Sequence, residues 1–99
     1  MPPTYDPERF RALLVDDVQA LTRMDTGNRE MNVVCLATLE RNSEPLQRFL
    51  RATWHRLAPT NSEETVLQHV SMELYEMARH ERDAGVSMDE QLANGASDQ

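Results

Sequence analysis

Apolar residues recur along this chain at the spacing of amphipathic helices. In residues 7–24, a turn of ~100° per residue places one set of apolar side chains on a single face and leaves Arg9, Asp16 and Gln19 away from it. Asp6 followed by Pro7 is typical of a helix start, with an acceptor at the N-cap and proline in the first turn. The segment is predicted to be a surface helix whose apolar face comprises Phe10, Leu13, Leu14, Val18, Leu21 and Met24.

Three further segments show the same periodicity, at about residues 29–41, 45–57 and 62–84. The segment 29–41 is apolar nearly all round, which predicts a helix that is central in the fold or covered by a partner. Ser43 before Pro45 marks the start of the third helix, and Asn61 with Glu64 has the spacing of a capping box for the fourth. Gly85 is suited to end the fourth helix.

The end of the chain predicts a short helical turn and then disorder. Ser87 and Glu90 have capping spacing for a helix through Leu92, and residues 94–99 are small and polar. Alternating strand patterns and internal repeats are absent from the sequence. The fold class is therefore predicted as all-α, a compact antiparallel bundle of about four helices forming a single domain over residues 1–93, with a short C-terminal helical turn and a disordered tail at 94–99.

Composition places the chain among small intracellular globular proteins. Its 99 residues suit one domain, and the longest apolar run falls short of the roughly 20 residues of a membrane span. The single cysteine, Cys35, lies in an apolar stretch and is expected to be a small core residue in a reducing, cytoplasmic compartment. All ten basic residues are arginine, and lysine and isoleucine are absent, which suggests a bacterium or phage of high G+C content.

Catalytic and metal-binding motifs are not supported. The three histidines, His55, His69 and His80, lie 14 and 11 residues apart, which does not match the spacing of two ligands on one helical face. The three glycines cannot form a phosphate loop, and an apolar helix does not activate the Cys35 thiol. The protein is therefore predicted to be no enzyme and to need no metal or cofactor.

The charge is acidic overall but uneven. A formal net charge of −7 disfavours binding to nucleic acids or anionic membranes. Residues 41–58 nevertheless carry four arginines against Glu44 alone. The third predicted helix aligns Arg48, Arg51 and His55 on one face, with Arg56 and Trp54 at its sides, and this face is a candidate contact for an anion or an acidic partner. The alternative is a solvated face paired with acids of neighbouring helices.

A short string resembles the turn of a helix-turn-helix motif. It spans residues 83–87, but Glu81 stands where that motif requires a small residue, and residues 88–92 would offer acids to a phosphate backbone. A glycine stop followed by a capped turn is the favoured interpretation.

A second apolar set is not needed by the predicted core. Val33, Leu36 and Ala37 of the second helix and Met72 and Tyr75 of the fourth fall off the core stripes. If they gather into one patch, they mark a protein interface. With Trp54 they are the predicted partner-binding residues.

These observations predict a small acidic regulatory protein that binds another protein without catalysis and self-associates, with a dimer favoured. Anti-activators and phage inhibitors of host complexes belong to this class. The alternative is a nucleic-acid-binding module that uses the basic face of the third helix, and a helical enzyme subunit is a more distant third.

Overall fold

Five helices account for most of the chain in the computed structural model, which describes residues 4–24 and 29–97. The described residues contain no strand, so the all-helical prediction is confirmed. The helices are α1 (Pro7–Met24), α2 (Arg29–Arg41), α3 (Glu44–Leu57), α4 (Glu63–Ala84) and α5 (Met88–Ser97).

The helix ends follow the local sequence signals. The Asp6 carboxylate accepts a hydrogen bond from the Arg9 amide at 3.2 Å, and the Ser43 hydroxyl accepts one from the Leu46 amide at 3.4 Å. Both side chains satisfy amides that the first turn of a helix leaves unpaired. Gly85 ends α4 in the left-handed conformation, with φ of 73°, as predicted.

The cap of α4 differs from the prediction. Ser62, not Asn61, is the N-cap, and its hydroxyl accepts a hydrogen bond from the Thr65 amide at 3.2 Å. The Asn61 side chain instead donates to the Leu57 carbonyl at 2.9 Å. Both residue types can cap a helix, and here Asn61 serves the end of α3.

One core joins all five helices. Each helix contributes at least one almost completely buried leucine, and the Leu50 side chain lies in this core as its position on the α3 stripe predicts. The predicted faces of α1 and α4 are confirmed in their middle, while Leu21 and Met24 at the end of α1 are exposed. The core leucines are Leu14, Leu39, Leu46, Leu50, Leu67, Leu74 and Leu92.

The last helix extends further than predicted. Helix α5 continues to Ser97, so residues 94–97 are helical and the prediction of a disordered tail from Asn94 is wrong for them. Helix α5 packs mainly on α3, and a Cβ at Gly95 would lie 3.1 Å from the Phe49 ring. Close packing against a neighbour thus overrides the weak helix propensity of this segment. Residues 98 and 99 lie outside the described residues.

Helices α1 and α4 lie side by side and run in the same direction. Arg9, near the start of α1, forms an ion pair with Glu63, at the start of α4, so these two helices run in the same direction. The Arg11 guanidinium donates to the Leu39 carbonyl, near the end of α2, at 3.2 Å. Helices α1 and α2 are therefore antiparallel, as predicted for neighbours in sequence, whereas α1 and α4 are parallel.

Replacing Leu50 by Ala should reduce the free energy of unfolding by ~2–5 kcal/mol, because it removes buried apolar area and leaves a cavity. Urea unfolding followed by circular dichroism measures this change. Met72→Ala is the matched control, since Met72 is largely exposed, and should stay within about 0.5 kcal/mol of the wild type. Equal losses in the two variants would contradict the assignment of Leu50 to the core.

Candidate functional site

A groove runs along the surface between α1 and α4 and encloses about 560 Å³. Two of its large apolar side chains are exposed to solvent: Leu21 is 47% exposed and Met72 is 69% exposed. We call this surface the α1/α4 groove, and it is lined by Asp17, Ala20, Leu21, Gln68, Ser71, Met72, Tyr75 and Glu76.

The parallel course of the two helices creates this groove. Each helix buries one apolar stripe, with Val18 of α1 and Leu74 of α4 in the core. The residues beside those stripes face each other across the surface, and Leu21 and Met72 lie among them. A helix with an apolar face wider than its contact with the core leaves such side chains in solvent. The groove is therefore apolar because α1 and α4 carry more apolar residues than the core covers.

Carboxylates surround the groove. Burial raises the pKa of Asp17, and the charges of Asp16 and Glu64 raise it further. The Glu76 carboxylate at the other part of the groove accepts a hydrogen bond from Arg79 at 2.7 Å. The Arg79 guanidinium also lies 5.5 Å from the centre of the Tyr75 ring. The part of the groove at Asp17 is thus the more strongly negative.

A buried hydroxyl lies in the wall of the groove. Ser71 is only 7% exposed, and its Oγ has no hydrogen-bond partner among residues 4–24 and 29–97. Buried polar atoms are nearly always hydrogen-bonded, and an unsatisfied one costs about 1–3 kcal/mol. Because Ser71 lines the groove, a polar group of a bound ligand could satisfy this hydroxyl.

The structure places two of the five residues of the predicted apolar patch in this groove. Met72 and Tyr75 line it, and all of its wall residues belong to α1 or α4, so α2 contributes none of them. Val33 and Ala37 are exposed on α2, and Leu36 is half-buried against the core. The α2 residues therefore do not join Met72 and Tyr75 in this groove, where Leu21 and Ala20 of α1 lie opposite them. That the α2 residues bind a partner stays a prediction.

Trp54 is buried rather than at a surface. It is 5% exposed, and its ring packs at 5.2 Å from the Phe10 ring and 5.8 Å from the Tyr5 ring. Its assignment to the partner-binding residues is therefore wrong. Tyr5 precedes the first helix and covers the edge of α3, which helical periodicity alone does not reveal.

The predicted basic face forms a second groove, between α3 and α5. Arg48, Arg51 and His55 lie along one wall, as their spacing predicts, and the groove encloses about 1000 Å³. Arg56 lies away from it, with its guanidinium 3.8 Å from the Glu73 carboxylate of α4. We call this surface the α3/α5 groove, and it is lined by Glu44, Pro45, Gln47, Arg48, Arg51, Ala52, His55, Ala93 and Ala96.

Other candidate chemistry is not assembled in the described residues. Among them, no three His, Cys, Asp or Glu side chains lie close enough together to hold a metal ion. His69 is beside Glu73, one turn further along α4, and not beside another histidine. In the same part of the chain, none of the helices combines the length and the apolar character needed to cross a membrane. The two grooves are therefore the surfaces from which a function can be argued.

Comparison of the chain with protein families, with curated proteins and with solved structures found no match. What the protein binds must be inferred from the shape and charge of its own surface.

The raised pKa of Asp17 predicts a pH-dependent stability. Since the folded protein holds this proton to higher pH than the unfolded chain, stability is lost as pH rises between the two pKa values. Asp17→Asn should therefore be more stable than the wild type at neutral pH. The difference should disappear in acid, where Asp17 is protonated in both states.

Urea unfolding at neutral and acidic pH measures this effect. Glu40→Gln removes an exposed carboxylate of α2 and controls for the loss of a surface charge. An equal gain from Glu40→Gln would show that overall charge, and not the surroundings of Asp17, is responsible.

Cys35 should be inert in the folded protein. Burial raises the pKa of its thiol to about 12, so the reactive thiolate is scarce at neutral pH. Iodoacetamide should modify Cys35 rapidly in urea and only slowly under native conditions, as followed by mass spectrometry. Fast native labelling would contradict the buried position of this side chain.

Proposed function

We propose that this chain is a non-catalytic regulatory protein that binds an amphipathic helix of another protein in the α1/α4 groove. The observation that carries the proposal is the pair of open apolar side chains, Leu21 and Met72, which line one groove between two parallel helices. Exposed apolar side chains that gather on a small protein are typical of interaction sites. Antagonists that occupy the surface of a larger protein belong to this class.

The shape of the groove favours a helix as the occupant. A cleft between two helices accepts the apolar face of a third, whose anchors recur at i, i+3, i+4 and i+7. Leu21 and Met72 would flank that face, and Tyr75 offers an aromatic surface further along α4. The bound helix would add to the bundle by covering apolar area that α1 and α4 leave in water.

The charge around the groove favours a basic partner. Asp17 is repelled by Asp16 and Glu64, so an arginine or lysine placed near these carboxylates would relieve the repulsion. The net charge of −7 would also speed the approach of a cationic segment. By binding there, the chain would cover a basic helix that the partner protein otherwise uses to contact an anionic surface.

Charge disfavours one way of dimerising through this groove. A pairing that sets Asp17 of one copy beside Asp17 of the other would bring the acids around both together. The homodimer expected from the sequence stays a prediction.

Replacing Leu21 or Met72 by Asp should weaken binding to a helical peptide with a leucine face and flanking lysines. At a hot spot the loss is about 2 kcal/mol, or roughly 30-fold in affinity. Both side chains are exposed, so the variants should remain folded. Titration of the isotope-labelled protein, followed by NMR chemical shifts, measures the affinity and locates the binding surface.

Val33→Asp is the matched control, because Val33 is 56% exposed but lies on α2 outside the groove. It should bind the peptide like the wild type, and a peptide with glutamates in place of the lysines should bind much more weakly to all forms. If Val33→Asp reduces binding as much as Leu21→Asp, or if the shifted residues lie outside α1 and α4, this proposal is wrong. Sedimentation of the same variants reports whether the protein self-associates.

A further inference from the structure

We infer that the α3/α5 groove is a second binding site, and that it takes an acidic segment of a polypeptide. This inference is independent of the α1/α4 groove, since the two surfaces share no lining residue. It starts from the concentration of positive charge on one wall of a chain that is otherwise acidic.

The cations of the wall are open to a ligand. Arg51 is exposed and makes no ion pair within residues 4–24 and 29–97. Arg48 pairs with Glu44 one turn earlier in α3, and both side chains are largely exposed. An exposed pair of this kind contributes at most about 1 kcal/mol, so an incoming carboxylate can replace Glu44. His55 extends the same wall by one further turn.

The opposite wall is small and uncharged. Helix α5 contributes Ala93 and Ala96, and Ala52 of α3 lies between the walls. The methyl groups of these alanines leave the guanidinium groups room to move. They can also contact uncharged residues that lie between the acidic residues of a bound segment. The close packing of Gly95 on the Phe49 ring fixes the distance between α3 and α5. The groove thus lies between two helices that are in close contact.

Charge and shape together favour carboxylates over nucleic-acid phosphates. The planar fork of arginine can pair with a carboxylate or a phosphate through two hydrogen bonds, so the rest of the surface must decide between these two ligands. A long polyphosphate would meet the repulsion of the other acidic surfaces, whereas a short acidic segment meets it little. Single-stranded nucleic acids are also held by stacking on aromatic rings, but Trp54 is buried and the groove wall has no Phe, Tyr or Trp.

Arg51 also lies close to Tyr5. Burial raises the pKa of Tyr5, and the Arg51 charge acts in the opposite direction. The Tyr5 ring lies 6.0 Å from the His55 ring. Tyr5 thus packs behind the His55 end of this wall and is not one of its lining residues.

The test uses a fluorescent peptide in which glutamates alternate with alanines and leucines, and its anisotropy is measured as the protein is added. The peptide should bind saturably, more weakly as salt is raised, and the same peptide with glutamines should not bind. Arg51→Gln should weaken binding about tenfold, because it removes one charge-assisted contact. Arg23→Gln removes an exposed charge from α1 and should change nothing.

A steric variant separates the groove from its charge. Ala93 is exposed, so Ala93→Trp should leave the helical circular dichroism and the melting curve unchanged. The indole should fill the α3/α5 groove and weaken binding, while the net charge stays the same. Leu21→Asp, which lies in the other groove, should bind the acidic peptide normally. If Arg51→Gln and Ala93→Trp both bind like the wild type, the inference is overturned.

Nucleic acid is the competing ligand. Single-stranded and duplex DNA should not displace the acidic peptide at physiological salt. If either DNA binds more tightly than the peptide and loses its affinity in Arg51→Gln, a nucleic-acid site replaces the proposed peptide site.

Discussion

The rest of this structure depends on one constraint, which is that five helices bury their apolar faces in a single leucine-rich core. A chain of 99 residues has little interior, so each helix must contribute its apolar stripe to the same core. Leu14, Leu39, Leu50, Leu74 and Leu92 represent α1 to α5 at this centre, and each is almost fully buried. Apolar residues outside those stripes cannot reach the core and remain at the surface, as Leu21 and Met72 do.

The elements of the fold could be predicted because their signals are local. Helical periodicity located the stripes, and short-range signals such as Ser43 and Gly85 located the ends. What failed depended on contacts between distant parts of the chain. Trp54 lies at the edge of its helix by angle, yet Tyr5 and Phe10 cover it. Gly95 opposes a helix by propensity, yet its lack of a side chain allows the close contact with Phe49.

In the candidate sites too, the position of a residue around its helix could be predicted, whereas the helix that lies next to it could not. The spacing of Arg48, Arg51 and His55 placed them on one wall, and the structure keeps them together. Arg56 lies one residue beyond His55, about 100° further round the helix, and faces Glu73 of α4 instead. Met72 lies in solvent, as its angle on the helix predicts, whereas Tyr75 packs partly against the core. Periodicity does not specify which helix lies beside α4. The choice of α1, and with it Leu21 and Asp17, came only from the packing.

The uneven distribution of charge gives the two grooves different surroundings on one small protein. Acids surround an apolar cleft at Asp17, whereas arginines line a channel of small residues at Arg51. A cationic helix suits the first surface and an acidic segment the second, so the two would not compete for the same ligand. Each groove is formed by a different pair of helices, and the two grooves share no lining residue. This arrangement suits an adaptor that joins two segments of unlike charge, or an antagonist that holds one partner at two points.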